Sequence, residues 1–258
     1  PDTAGEIIAA HPDVSYCYAR NHERYSLWFT VAVSSQSTLG LEQTVAKLAK
    51  LAGVEAYHLL PTIETLKLAV RFDFSADTPQ HASTLAAPVD PAPIELTGEI
   101  IEAVSILQRD LPATPTPFAD LLAETDSPLT VAELMTIANH LRELGVMRRY
   151  AAVFHHRRAG AGCNVMAVWQ SPSPDAAARA AKHPAVSHCY RRATYADWPY
   201  DVYTMVHATD ADHAKTVLDE LSEAIDPIDF CFLETGREYK KSRVRYCSPD
   251  EAAWESRE

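Results

Sequence analysis

Leu41, Val45, Leu48 and Ala52 recur at helical spacing, as do Ala214, Val217, Leu218, Leu221 and Ile225, so each set predicts one apolar face of an amphipathic helix. An apolar stretch of strand length precedes each helix, Tyr25 to Val33 and Tyr200 to His207, and a strand rich in Lys and Arg follows each. The chain therefore carries a strand, strand, helix, strand pattern twice. Upstream of the second copy, a helix at Pro174 to Lys182 and a strand pair, Met147 to His156 and Cys163 to Trp169, complete a β-α-β-β-α-β order, the ferredoxin-like arrangement. The first copy has no such strand pair.

Self-comparison explains the doubling. His11-Pro-Asp-Val-Ser-Tyr-Cys-Tyr-Ala-Arg20 returns as His183-Pro-Ala-Val-Ser-His-Cys-Tyr-Arg-Arg192, identical at seven of ten positions, which points to duplication. Between the copies, Pro79, Pro88, Pro91 and Pro93 punctuate a stretch without apolar period, a linker. Three short helices follow, Thr97 to Arg109, Thr116 to Glu124 and Thr130 to Leu144, the last ended by Gly145. Three helices before a strand hairpin read as a winged helix-turn-helix. The expected organisation is a first unit at 1–74, a linker at 75–95, the helix-turn-helix at 96–146 and a second unit at 147–258, an α+β chain throughout.

Charge changes what that helix-turn-helix is for. The chain has a formal net charge of -12, and residues 96–146 hold eight acids against two bases, Arg109 and Arg142. A helix that reads DNA needs the opposite balance, so the module is expected to pack and pair, with no DNA partner. Five scattered cysteines without a C-x-x-C pair argue against a disulfide framework or a zinc ribbon. No apolar run nears the roughly 20 residues of a membrane span, so a soluble, cytoplasmic protein is expected, with no membrane partner.

Against the acidic background, Arg148-Arg149-Tyr150-Ala-Ala-Val-Phe-His155-His156-Arg157-Arg158 concentrates four arginines and two histidines in eleven residues. Strand alternation groups Val186, His188, Tyr190 and Arg192 on one face and Tyr203, Met205 and His207 on another. Trp198 stands ready to cover a flat ligand or to plug a loop. Arg237, Lys240 and Lys241 make the last strand basic, with Lys67 as the counterpart in the first unit; basic strand edges also discourage aggregation. A ligand suited to this inventory is large, flat and apolar on its faces, with carboxylates at its rim and a metal that takes histidine.

These motifs resemble the sirohaem decarboxylases, Lrp/AsnC-like proteins, over nearly the whole chain. The first unit carries the resemblance through Val14 to His22, Trp28-Phe29-Thr30 and Leu60-Pro61 with Leu66 to Phe74; the second carries it through Arg148 to His156, Asn164 to Trp169, His183 to Arg192, Asp197-Trp-Pro-Tyr200, Tyr203 to His207 and Arg237 to Lys241. The resemblance implies tandem ferredoxin-like Lrp/AsnC-type domains, and loss of two acetate carboxyls from sirohaem to give didecarboxysirohaem. It also implies that the tetrapyrrole binds between the two units; fusion in one chain suggests the branch leading to haem d1. Ala151 stands where glycine is usual, and Tyr16 stands where the second copy has His188.

His156 and His207 are then the expected general acid and iron ligand, in undecided order. Tyr150, His155, His188, Tyr190, Trp198, Tyr203, Met205 and His22 are expected around the substrate, with Arg148, Arg149, Arg191, Arg192, Lys67, Arg237 and Lys240 for its carboxylates. No cofactor is needed, since the iron belongs to the substrate and decarboxylation with protonation is redox-neutral. A second copy or related decarboxylase subunits are the expected protein partners. The rival readings are a ligand-responsive transcription regulator, which would want a basic recognition helix, and a non-catalytic tetrapyrrole carrier.

Overall fold

The computed structural model describes residues 2–68, 93–147, 150 and 163–257. In chain order they form α1 (Asp2–Ala9), β1 (Val14–Arg20), β2 (Leu27–Val31), α2 (Gly40–Leu51) and β3 (Thr62–Leu68), then α3 (Gly98–Leu107), α4 (Pro117–Glu124) and α5 (Val131–Glu143). The second unit follows as β4 (Cys163–Gln170), α6 (Ala176–Lys182), β5 (Val186–Arg192), β6 (Val202–Ala208), α7 (Ala211–Ile225), β7 (Asp229–Lys241) and α8 (Asp250–Glu255). Apart from Met147 and Tyr150, the expected strand from Met147 to His156 lies outside the described residues, as does most of the linker.

The second unit has the β-α-β-β-α-β order, with its strands side by side as β7-β4-β6-β5. Its helices cover one face. Ala214, Val217, Leu218, Leu221 and Ile225 of α7 and Ala176, Ala177 and Ala180 of α6 are buried against Val165, Ala167, Trp169 and Val206, a contiguous apolar core of the kind that drives folding. In α2, Val45 and Leu48 are buried as the period predicts, whereas Leu41 is exposed at the first turn.

The two units exchange edges. β3 of the first unit pairs antiparallel with β5 of the second, Leu68 opposite His188 and Thr65 opposite Tyr190. The latter part of β7 pairs with β1, Tyr16 opposite Lys241 and Tyr18 opposite Glu238, while its earlier part pairs with β4. One seven-stranded sheet results, in the order β2-β1-β7-β4-β6-β5-β3. The architecture is α+β, with helix-turn-helix and ferredoxin-like topology. Which strands cross between the units was not readable in advance, because strand pairing beyond a hairpin leaves no local mark in the sequence.

α1 was not foreseen either. It is the counterpart of α6: the Cys17 thiol donates to the carbonyl of Gly5 as the Cys189 thiol donates to that of Ala177. Its glycine is required by contact, since a Cβ at Gly5 would lie 2.5 Å from Cζ of Tyr239.

The helix-turn-helix holds its own small core of Ala103, Ile106, Leu107, Leu121, Leu122 and Leu134. Thr130 and Glu133 form a reciprocal capping box that starts α5, and Gly145 closes its other end at φ +73°.

Candidate functional site

The sheet face away from α6 and α7 borders an open basin, part of a cavity of about 2480 Å³ that also runs past the edge of β2 to α1 and α2. Its walls follow from the duplication. In β1 and β2, Tyr18 stands opposite Trp28 and Tyr16 opposite Thr30; in β5 and β6, Tyr190 stands opposite Tyr203 and His188 opposite Met205. All eight line the basin, and so do Arg20 and Arg192 at the corresponding ends of β1 and β5. The Arg192 guanidinium lies over the rings of Tyr190 and Tyr203, at 5.2 and 5.4 Å, and Arg20 lies over Tyr18 at 5.6 Å.

The expected face of β5 needs one correction. Val186 does not share it with His188, Tyr190 and Arg192: a bulge shifts the register between Val186 and His188, sending Val186 into the helix-side core beside Cys189 and the other three into the basin. Tyr203, Met205 and His207 of β6 do line the basin together.

Imidazoles distinguish the two halves. His207 Nδ1 is 2.5 Å from Oδ1 of Asn164 on β4; the amide oxygen can only accept, so Nδ1 carries a proton. His188 Nδ1 is 2.8 Å from Oγ of Ser187, whose own proton goes to the carbonyl of Met205 at 3.2 Å, so here too Nδ1 donates. Tyr16 takes the place of His188 in the first half, and Ala32 that of His207.

Trp198 closes one side of the basin. It is 2% exposed, its indole N–H donates to the Tyr203 hydroxyl at 2.7 Å, and the rings of His22, Tyr25, Trp28 and Tyr200 surround it at 4.8 to 5.5 Å. Burial is the main force pushing the Tyr203 phenol up to about 12. His22, expected near the ligand, holds a turn instead: its Nδ1 accepts from the backbone N–H of Arg24 and of Tyr25.

Sequence reasoning missed a polar cluster at the rim. The Tyr25 hydroxyl donates to Oδ2 of Asp197 at 2.5 Å and lies 2.7 Å from Nε2 of His58, which is itself 2.9 Å from Oδ1 of Asp197. His58 stacks on Tyr195 at 3.9 Å, and Arg24 pairs with Asp197 at 3.0 Å. The Tyr25 hydrogen bond leads in holding the Asp197 carboxyl below its ordinary value. The cluster ties the first unit to the loop between β5 and β6, and His58 sits in an irregular segment where no spacing rule would single it out.

Several expected substrate cations are committed elsewhere. Lys67 donates to the carbonyl of His183 at 2.8 Å and Lys240 to that of His11 at 2.6 Å. Arg237 pairs with Asp2 and Glu6 at 3.2 and 3.0 Å. Arg191 points away from Arg192, as alternation on a strand requires, and donates to the carbonyl of Pro174 at 2.6 Å. Tyr150 is exposed, with its ring 6.4 Å from that of Phe118 in the helix-turn-helix. Arg148, Arg149, His155 and His156 lie outside the described residues. Among the described residues no group of His, Cys, Asp and Glu could hold a metal ion, and no helix is long and apolar enough to cross a membrane.

Known proteins carry the same pattern. The family described as AsnC-like ligand binding domain matches residues 1–67 and 158–240. A sirohaem decarboxylase from Hydrogenobacter thermophilus is 31% identical over 258 residues, covering 98% of this chain and 75% of the relative. The beta subunit of a sirohaem decarboxylase from Methanosarcina barkeri is 32% identical over 148 residues, 56% of this chain and 96% of that one. Among solved structures, the sirohaem decarboxylase NirDL in complex with an iron-uroporphyrin III analogue superposes with a TM-score of 0.72 at 26% identity, over 98% of this chain and 72% of the other.

Proposed function

The chain belongs to the sirohaem decarboxylase family, built here on AsnC-like ligand-binding domains, and on that premise we propose that its basin seats sirohaem between the two half-sites and removes two acetate carboxyls to give didecarboxysirohaem. It is a carboxy-lyase acting on a tetrapyrrole. The observation that carries the proposal is the basin itself, with its ring-and-guanidinium walls from both copies of the repeat and imidazoles on one side. Fusion of both units in one chain supports the branch toward haem d1. Five free thiols suit a reducing compartment and so a cytoplasmic location.

Each cycle breaks the bond between an acetate methylene and its carboxylate carbon. The electron pair stays on the methylene, is delocalised into the macrocycle, and takes up one proton; carbon dioxide and a methyl group result. The protein must hold the ring in one orientation, supply a proton at one place and keep the reacting carboxylate drier than its neighbours. His207, with its ring fixed by Asn164, suits either proton donation or iron ligation through Nε2; His156 is the other residue proposed for these two roles. Arg192, Tyr190 and Tyr203 would hold rim carboxylates and ring faces, with His188 and Met205 beside them.

The helix-turn-helix is proposed as a packing element without DNA. Only two bases offset its eight acids, and Arg109, one of the two, is paired with Glu124. Anaerobic incubation with sirohaem, followed by mass spectrometry of the extracted tetrapyrrole, tests the proposal. Loss of the mass of two carbon dioxide molecules is expected; binding with unchanged mass would instead make the protein a carrier.

A further inference from the structure

We infer that Arg20, at the end of the β1 wall where Tyr16 stands in the place of His188, is a carboxylate anchor for the substrate and the internal counterpart of Arg192. The inference rests on the proposed seating of a carboxylated tetrapyrrole in this basin.

Arg20 is 8% exposed. Both hydrogens of Nη1 are spent within the sheet, on the carbonyl of Leu233 at 3.0 Å and on Oγ1 of Thr235 at 2.6 Å. Nε is buried without an acceptor, and among the described residues Nη2 makes no hydrogen bond and no carboxylate pairs with the guanidinium. Arg192 repeats the pattern: its Nη1 donates to the carbonyl of Leu60, its charge lies over two phenol rings, and it forms no ion pair among the described residues.

That is an unusual way to leave two cations in a chain with 35 acids against 23 Lys and Arg. Among the other described arginines of the units, Arg24, Arg191 and Arg237 have a carboxylate within reach, and Arg179, Arg243, Arg245 and Arg257 are exposed to water. A guanidinium buried without a counter-ion is costly, and the cost falls away when an anion arrives. Burial is the leading cause that lowers the affinity of both groups for their protons.

A purely structural Arg20 would stitch β1 to β7 and nothing more. That role uses one nitrogen and no charge, and a neutral donor would fill it. Keeping the charge, in the position that the duplication equates with Arg192 and on the same basin wall as Tyr18, assigns it to the rim of the ligand. The first half-site then positions the substrate while the second half-site carries His188 and His207 on its strands.

The test is an absorption titration of wild type, R20M and R20K with iron-uroporphyrin III, beside thermal melts of the ligand-free proteins. A charge-assisted contact predicts that R20M loses roughly 10- to 100-fold in affinity. Its ligand-free melting temperature should match or exceed that of wild type, with R20K intermediate in affinity. Unchanged affinity in R20M, with or without a lower melting temperature, would overturn the anchor and leave the stitch. If R20M does not fold, R20K decides: affinity down by at least about threefold supports the anchor, since lysine cannot reproduce the guanidinium fork, and wild-type affinity overturns it. Failure of the wild type itself to bind would sink the reading of the basin rather than Arg20 alone.

Discussion

Lys67 and His183 meet across the seam between the two units, with Lys67 Nζ donating to the His183 carbonyl at 2.8 Å; Lys240 and His11 repeat the contact in reverse at 2.6 Å. Each unit thus sends the lysine of its last strand to the start of the other unit's His-Pro motif. Burial lowers both lysines from their ordinary value, so the contacts fix the exchanged strands at the cost of some desolvation. Lys67→Met should lower stability by about 1.5–3 kcal/mol, the range for a hydrogen bond to a charged group, and leave tetrapyrrole affinity within about twofold of wild type. Denaturant melts paired with ligand titration check this. A large loss of affinity at full stability would return Lys67 to the substrate.

The two His-Pro motifs differ in what surrounds them. His183 pairs with Glu220 at 2.8 Å, whereas His11 is buried against Trp254 at 4.1 Å and burial takes its imidazole down to about 4. Asp13 is buried too, and burial takes its carboxyl up to about 6. The signs oppose. His11 stabilises fully above about 6.5 and loses that contribution as pH falls through about 4; Asp13 stabilises fully below about 3.8 and loses its contribution as pH rises through about 6. Between those limits the slopes partly cancel. Asp13→Asn should therefore raise stability at pH 8 by on the order of 1–3 kcal/mol and steepen its fall from pH 6.5 to 4. Urea denaturation at several pH values measures both, and a pH slope equal to that of wild type would discount the pair.

Asn164→Ala should release the His207 ring while leaving the histidine in place. Turnover is expected to fall about 10- to 100-fold, the range seen when a partner that orients a reactive histidine is lost, with KM nearly unchanged. Single-turnover decarboxylation followed by mass spectrometry separates this from a binding defect. A raised KM with intact kcat would make Asn164 a substrate contact instead.

Trp198→Ala removes the residue on which four rings from both units converge, and should cost about 3–5 kcal/mol. Trp198→Phe should cost less, although it leaves the buried Tyr203 hydroxyl without its indole N–H. Equal melting temperatures for all three proteins would mean that the ring cluster is not what holds this wall of the basin.

Much of this was legible in the sequence, for reasons that can be named. The α7 face was readable because all five of its apolar residues obey one period and all five are buried. The basin strands were readable because the duplication set His188, Tyr190 and Arg192 beside Tyr16, Tyr18 and Arg20. Alternation failed at Val186, where a bulge adds a residue that no composition rule announces. Lys67, Lys240 and Arg237 looked like substrate cations because charge on a strand says nothing about which partner takes it. The Tyr25, His58 and Asp197 cluster was hidden for the same reason: its members are 139 and 172 residues apart in the chain and meet only because the units dock.

The thirteen residues of β7 serve both units, pairing with β4 by one part and with β1 by the other. Arg20 reaches Leu233 across 213 residues of sequence. During synthesis β1 therefore waits, one edge unpaired, until β7 has emerged, and the earlier unit is exposed to misassembly for that interval. A later-made strand that completes the earlier unit also makes its pairing a quality check: a product truncated before Asp229 lacks a wall of its own first half.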